Sequence, residues 1–145
     1  MKVERSIEIA APPEAVYDVV MDPSRLGDWV TVHKKLVHAP ERLLTAGDEL
    51  AQKLKVAGQR FKVSWKVVKA EPARDVEWEG RGPMRTKARV SYDLERRDGG
   101  TCFNYINEYE LPGGPLGKLG AKAFERTAGK EADKTLEKLK GLLEQ

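Results

Sequence analysis

The C-terminal run over residues 116–143 constrains the fold more than any other part of the sequence, because it predicts one long amphipathic helix. Apolar and small side chains recur there at helical spacing along two adjacent stripes. The first stripe is Leu116, Leu119, Gly120, Ala123 and Thr127, and the second is Ala128, Ala132, Thr135, Leu136, Leu139, Leu142 and Leu143. The stripes change near Gly129, a poor helix residue, so we expect the helix either to bend there or to wrap around a curved surface. A helix with one apolar side needs a broad apolar surface to cover.

The residues before this helix predict an antiparallel sheet and two short helices. Apolar and polar residues alternate in the manner of half-buried strands over 3–10, 50–56 and 61–67. A further strand is expected over 31–37. Ala11-Pro12-Pro13-Glu14 starts a short helix, with proline in its first turn and a carboxylate near its positive end. A second short helical turn is expected over 23–29.

Two turn sequences predict how the central strands pair. Ala57-Gly58 and Asp98-Gly99 both suit two-residue hairpin loops. Counting outward from the first predicts the facing pairs Leu54–Phe61, Gln52–Val63 and Leu50–Trp65. Counting outward from the second predicts the facing pairs Leu94–Phe103, Tyr92–Tyr105, Val90–Asn107 and Ala88–Tyr109. Apolar, aromatic and neutral side chains therefore share one face of the sheet.

The opposite face is predicted to carry charges of both signs. The second hairpin pairs Arg89 with Glu108 and Lys87 with Glu110. A third turn, over 80–83, is expected to place Glu79, Glu77 and Asp75 opposite Arg85, Lys87 and Arg89. A slip of one residue would turn these charges inward, so they specify the register. The flanking acids favour a solvated face, and the alternative is a polyanion-binding stripe on the three basic residues.

The predicted inner face has the composition of a small-molecule cavity. It contains no carboxylate, lysine or arginine, and it combines apolar walls with neutral polar groups. The residues expected to contact a ligand are Gln52, Phe61, Trp65, Trp78, Thr86, Tyr92, Tyr105, Asn107 and Tyr109 of the strands and Phe124 of the helix. Met84 is expected on the same face. The alternative is an ordinary core whose tyrosines reach the sheet rim and bond to water or backbone.

Catalytic chemistry has weaker support in the sequence. His33 and His38 are five residues apart on one predicted strand, an odd separation that places them on opposite faces. One cysteine, Cys102, and no histidine–carboxylate cluster predict no metal site, and no cofactor is expected. For an enzyme, the candidates to orient an enol or carbonyl are Tyr92, Tyr105, Tyr109, Asn107 and His33.

The overall composition fits one soluble globular domain over residues 1–145. The chain is 40% hydrophobic and 34% charged, which is unlike a disordered protein. No apolar run approaches the ~20 residues of a membrane span, and the N-terminus lacks the apolar core of a signal peptide. We therefore expect a cytoplasmic protein. A net charge of +3 from 26 basic and 23 acidic residues gives little support to a nucleic-acid partner, and none is predicted.

Three stretches resemble a known family: IAAPPEAVYDVV at 9–20, DPSRLGDW at 22–29 and YELPGGPLG at 109–117. They are similar to the START-like (SRPBCC) superfamily, and within it to the polyketide cyclase/dehydrase and lipid-transport branch. The resemblance implies an α+β helix-grip fold. In that fold a curved antiparallel sheet of about seven strands surrounds a long C-terminal helix, two short helices follow strand 1, and a cavity lies between sheet and helix. No catalytic residue set spans the group, so none is carried over.

Three functions are compatible with these observations. The first is a non-enzymatic binder or carrier of a hydrophobic, ring-containing small molecule, such as a polyketide, quinone or lipid. The second is a polyketide cyclase or dehydratase. The third is a protein-interaction module that uses the mixed-charge sheet face or the helix. The large inward aromatic set favours the first.

Overall fold

A seven-stranded antiparallel sheet and three α-helices make up the described residues of the computed structural model, which are 1–110 and 117–145, with helix side chains from 122 onward. The strands are β1 (Lys2–Ile9), β2 (His33–His38), β3 (Glu49–Val56), β4 (Gln59–Glu71), β5 (Asp75–Arg81), β6 (Lys87–Arg97) and β7 (Gly100–Tyr109). The helices are α1 (Pro13–Val20), α2 (Leu26–Trp29) and α3 (Gly117–Leu143). The spatial order of the strands is β1-β7-β6-β5-β4-β3-β2, so every strand pairs with its sequence neighbour except β1, which pairs with β7.

The two short helices form where the sequence predicts them. Pro13 occupies the first turn of α1 and Glu14 lies beside its N-terminus. Asp22 then ends this segment, since its side chain accepts a hydrogen bond from the backbone N–H of Ser24 at 3.0 Å and starts a 3-10 turn. That turn leads into α2, whose Leu26 and Trp29 are buried.

Both predicted hairpins are confirmed. Ala57 and Gly58 have φ of 52° and 78°, and Asp98 and Gly99 have φ of 49° and 80°, as a type I′ turn requires. The observed facing pairs are Leu54–Phe61, Gln52–Val63, Leu50–Trp65, Leu94–Phe103, Tyr92–Tyr105, Val90–Asn107, Ala88–Tyr109 and Arg89–Glu108. The aromatic and neutral side chains therefore share a face.

The third turn differs from the prediction. β5 continues to Arg81, which faces Lys87, and Glu79 faces Arg89 instead of Arg85. The chain reverses through a 3-10 turn at Pro83–Arg85, made possible by left-handed backbone at Met84 (φ 57°) and Arg85 (φ 60°). Because the register shift is an even number of residues, the faces of β5 and β6 are still as predicted.

One expectation at this turn and one on the helix are wrong. Arg85 joins no strand. Met84, expected on the inner face, lies on the turn and is 80% exposed. Ala123, expected on the apolar side of α3, is exposed. Leu116 lies outside the described residues, as do the side chains at 119 and 120.

α3 covers the sheet by packing on β1 and α2. Its second predicted stripe is confirmed, with Ala132, Thr135, Leu136 and Leu139 buried. At Gly129 a Cβ atom would lie 2.8 Å from the Arg5 guanidinium. The same guanidinium donates a hydrogen bond to the Asp133 carboxylate at 2.7 Å. Glycine thus makes room for a cross-link between β1 and α3, and the bend near this residue stays a prediction. No helix of the described ranges is long and apolar enough to cross a membrane.

Candidate functional site

A cavity of about 410 Å³ lies between the inner face of the sheet, α2 and α3. Its volume is within the ~300–1,000 Å³ range of small-molecule sites. All ten residues that the sequence predicts for a ligand site line it: Gln52, Phe61, Trp65, Trp78, Thr86, Tyr92, Tyr105, Asn107, Tyr109 and Phe124. Strand parity brings eight of these side chains together, while Thr86 follows the turn before β6 and Phe124 is contributed by α3.

The wall of the cavity is a connected set of aromatic rings. Tyr92 lies at its centre, stacked on Tyr105 with ring centroids 5.9 Å apart and 21° between the planes. Trp78 contacts Tyr92 edge-on at 6.0 Å, and Trp29 of α2 does so at 5.9 Å. Such pairs stabilise one another beyond their area burial. They also present flat apolar surfaces to whatever occupies the cavity.

A chain of hydrogen bonds fixes the polar side of this wall. The indole N–H of Trp65 donates to Gln52 Oε1 at 2.7 Å, and Gln52 Nε2 donates to His33 Nδ1 at 2.8 Å. Burial lowers the pKa of His33, so its imidazole stays neutral and accepts through Nδ1. His33 is not among the cavity-lining residues. It therefore contacts the cavity wall through Gln52, and its role in orienting an enol or carbonyl stays a prediction.

The tyrosine hydroxyls of the cavity are held in their neutral form. Burial raises the pKa of Tyr105 and of Tyr109 to about 12, and raises that of Tyr92 well above its usual value. Asn107 Nδ2 donates to the Tyr105 hydroxyl at 3.3 Å. At neutral pH these groups are hydrogen-bonding partners for a ligand and do not supply a phenolate base.

Three donors of the cavity-lining residues lack partners. Among the described residues, the indole N–H groups of Trp29 and Trp78 and the hydroxyl of Tyr109 are buried without a hydrogen bond. Each unmet buried donor costs about 1–3 kcal/mol. Buried polar groups in folded proteins are nearly always satisfied, so these three donors are candidates for a partner that the described residues do not supply.

One polar cluster of the cavity is not evident from the sequence. Thr31 lies between α2 and β2, and its backbone N–H donates to Thr135 Oγ1 of α3 at 3.1 Å. Its hydroxyl donates to the Glu131 carboxylate. Glu131 and Thr135 both line the cavity, as do Lys87 and Glu110. The lining as a whole therefore includes charged residues, which the predicted inner face does not. The helical pattern places Glu131 near the polar side and so gave no signal of its place in the cavity.

Metal-ligating clusters are not part of this site. In residues 1–110 and the described part of α3, no group of three histidine, cysteine, aspartate or glutamate side chains is close enough to hold an ion. Cys102 is buried and unpaired, and burial raises the pKa of its thiol, which makes it a poor nucleophile.

Comparison with known proteins gives one family and a broad set of similar structures. The family model described as "Polyketide cyclase / dehydrase and lipid transport" matches residues 1–144. The uncharacterized protein Rv1546 of Mycobacterium tuberculosis is 29% identical over 127 residues, covering 85% of this chain and 87% of that protein. The toxin Rv0910 of the same organism is 23% identical over 125 residues, with the same coverage of both chains.

Solved structures confirm the helix-grip arrangement. The Zhui aromatase/cyclase from Streptomyces sp. R1128 aligns with a TM-score of 0.82 at 17% identity, covering 99% of this chain and 93% of that one. The protein TTHA0849 from Thermus thermophilus aligns with a TM-score of 0.84 at 17% identity, covering 99% and 97%. At these identities the likeness establishes the fold and leaves the chemistry to the residues of the cavity.

Proposed function

This chain belongs to the polyketide cyclase/dehydrase and lipid transport family, and from that premise we propose that it binds a hydrophobic, ring-containing small molecule between the sheet and α3. The observation that carries the proposal is the aromatic wall of the 410 Å³ cavity, centred on Tyr92 and completed by Trp29 and Trp78. Flat apolar rings pack on such a wall with little loss of side-chain freedom.

The size and polarity of the cavity narrow the class of ligand. An engineered cavity of ~150 Å³ holds benzene, so 410 Å³ has room for roughly two to three rings. The unpartnered groups at Trp29, Trp78 and Tyr109 are all donors. A ligand with carbonyl or ether oxygens would satisfy them, whereas a pure hydrocarbon would leave them unmet.

Binding is tested by titrating flat polyketides, quinones and fatty acids while following tryptophan fluorescence and the melting temperature. Three tryptophans line the cavity, so an occupant is expected to change their emission and raise the melting temperature. Ala128→Leu on α3 should block the response, because Ala128 lines the cavity. Ala123→Leu is the matched control, since Ala123 is exposed on the same helix. A panel without any response, or equal responses of both variants, would contradict the proposal.

An enzymatic function of the polyketide cyclase or dehydratase type is the second candidate. The specific observation in its favour is the Asn107–Tyr105 hydrogen bond, beside Tyr109, with both tyrosines kept protonated by their raised pKa values. Neutral hydroxyls near a carbonyl stabilise an enol or enolate as it forms.

The two candidates are separated by comparing turnover with binding. For an enzyme, Tyr105→Phe and Asn107→Ala should slow conversion of a poly-β-ketone by about 10²–10³-fold, as removal of an oxyanion donor does, while ligand affinity changes little. For a carrier, no conversion above the spontaneous rate is expected in the wild-type protein.

A further inference from the structure

The outer face of the sheet carries a row of positive charges across β2, β3 and β4. Lys35 of β2 lies directly opposite Lys53 of β3, and Lys53 directly opposite Lys62 of β4. The adjacent pair on β3 and β4 is Lys55 and Arg60. All five are exposed. We call these five residues the basic edge. Cross-strand neighbours of like charge destabilise a sheet, so their mutual repulsion lowers the stability of the protein on its own.

The remainder of the outer face is arranged differently. On β4 to β6, Arg89 lies within 3.5 Å of Glu77 and 3.2 Å of Glu79, and Lys69 pairs with Asp75 at 2.7 Å. Within the described residues none of the five cations of the basic edge takes part in such an ion pair. The sheet thus neutralises its charge in one half and concentrates positive charge in the other.

The cavity opens at this same end of the sheet. Met84 lines the cavity and is nevertheless 80% exposed, so it marks a point where the cavity meets solvent. Met84 belongs to the turn that follows β5. The last residue of β5, Arg81, faces Ser64 of the antiparallel strand β4, so the turn lies beside the residues of β4 that precede Ser64. Val56 and Gln59, on either side of the β3–β4 turn, line the cavity too.

The backbone of the turn at Pro83–Arg85 adds a further observation. Met84 and Arg85 are two consecutive non-glycine residues with left-handed φ of 57° and 60°, a conformation that such residues seldom adopt. A large apolar side chain is thereby left exposed at the mouth of the cavity. Strain of this kind persists at sites with a function.

We propose that the basic edge and Met84 together form a docking surface for an anionic lipid membrane, with the mouth of the cavity facing the bilayer. Lysine and arginine are attracted to anionic headgroups over about a Debye length. An exposed methionine beside them inserts into the boundary between headgroups and acyl chains. The proposal does not require that the cavity hold a ligand.

A membrane fits these features better than the other anionic surfaces. Nucleic acid would be attracted by the five cations, but its phosphate backbone offers nothing for an exposed methionine. An acidic protein would bind through the charges as well, but charge alone does not account for the exposed Met84 at the mouth of the cavity. Charge together with an apolar side chain at a cavity mouth is the combination that a lipid surface matches.

The test is co-sedimentation with vesicles of phosphatidylcholine alone or mixed with phosphatidylglycerol, at low and physiological salt. Lys53, Lys55, Arg60 and Lys62 are changed together to Gln. The matched control changes Lys66, Arg74, Lys130 and Lys138 to Gln, which removes the same charge from exposed positions elsewhere. Each basic residue near an anionic surface contributes a factor of about five in the binding constant. The first variant should therefore lose binding by roughly 100-fold or more, and the control far less.

Met84→Ser separates a membrane from nucleic acid, because it leaves the charge unchanged. It should weaken binding to the anionic vesicles several-fold and leave binding to duplex DNA unaltered. Melting temperatures of all variants verify that they are folded. The proposal is overturned by the absence of binding to anionic vesicles, by equal binding to neutral vesicles, by equal losses in the two quadruple variants, or by DNA binding that exceeds vesicle binding while Met84→Ser has no effect. Loss of ligand response alone would bear on the cavity and not on this surface.

Discussion

At the scale of a single residue, Gln52 is the link between the cavity wall and the strand behind it. It is 5% exposed and uses both ends of its amide, toward Trp65 and His33. Gln52→Leu keeps the volume but leaves the Trp65 N–H without an acceptor. We expect a loss of about 1–3 kcal/mol in the free energy of unfolding, measured by urea denaturation.

A double-mutant cycle tests the cause of that loss. In a Trp65→Phe background there is no indole N–H to satisfy, so Gln52→Leu should cost clearly less there. Equal costs in both backgrounds would mean that the hydrogen bond is not the origin of the effect.

His33 predicts a pH dependence of stability. Its pKa is lowered in the folded state by burial, so below the usual histidine pKa of about 6.5 the unfolded chain binds a proton that the folded protein does not. As far as His33 is concerned, the free energy of unfolding is therefore at its full value above that pH. It decreases as the pH falls toward the pKa of His33 in the folded protein. His33→Gln should therefore flatten the fall in unfolding free energy between about pH 7 and 5.

His38 provides the control for the pH experiment, since it is exposed on the same strand. His38→Gln removes an exposed imidazole from that strand and is measured in parallel. The same flattening in both variants would argue against desolvation of His33 as the cause.

At the scale of elements, two glycines of α3 have opposite environments. A Cβ at Gly141 would meet nothing within 4 Å, whereas one at Gly129 would lie 2.8 Å from the Arg5 guanidinium. Gly141→Ala should stabilise the protein by about 0.5–1 kcal/mol, because alanine loses less backbone entropy in a helix. Gly129→Ala should gain less, or destabilise, because Arg5 must move away from Asp133.

Denaturation of the combined variants tests that interpretation. In an Arg5→Ala background the side chain that occupies the space is gone, so Gly129→Ala should approach the gain seen at Gly141. If it remains unfavourable there, the constraint at Gly129 lies in the backbone and not in the contact with Arg5.

The hairpins also show which parts of the fold the sequence specifies. Ala57-Gly58 and Asp98-Gly99 indicate their turn type, and from them every facing pair on β3–β4 and β6–β7 can be counted. The turn at Pro83–Arg85 cannot be read in this way. Neither Met84 nor Arg85 is a residue type that favours left-handed backbone. The sequence therefore did not indicate this turn, and the predicted register of β5 and β6 differs from the observed one.

The candidate site likewise has one part that the sequence predicts and one part that it does not. Its sheet residues follow from parity, because side chains alternate with a period of two. Thr31 and Glu131 could not be predicted, since they meet only when the segment after α2 packs on α3. Local patterns carry no information about such contacts between distant elements. In the basic edge, Lys53, Lys55, Arg60 and Lys62 follow from the Ala57-Gly58 hairpin, and only the position of Lys35 required the register of β2, which is irregular.

At the scale of the whole molecule, the pairing of β1 with β7 joins the most distant strands. Lys2 faces Glu108, whereas Val56 faces Gln59. Closing the longer loop costs more entropy, so we expect β1 to join the sheet late in folding. Ile9→Val should cost about 0.5–1.5 kcal/mol and appear mainly as faster unfolding, measured by stopped-flow denaturation.

Val67 of β4 is the comparison for this kinetic prediction. It is fully buried and lies beside Trp78 in a locally connected part of the sheet, so Val67→Ala should slow folding more than it speeds unfolding. If Ile9→Val instead mainly slowed folding while Val67→Ala mainly sped unfolding, β1 would belong to the folding nucleus.

Protein synthesis gives the β1–β7 pairing a further consequence. Ribosomes deliver about 5–20 residues per second, so β1 waits roughly 5–20 s before Glu108 is even translated. Throughout that interval its backbone is open to pairing with other nascent chains. Lys2, Glu4 and Glu8 are exposed along this strand, and charges of this kind discourage intermolecular strand addition. We expect these charges to limit intermolecular pairing of the nascent chain until β7, the partner strand of β1, has been synthesised.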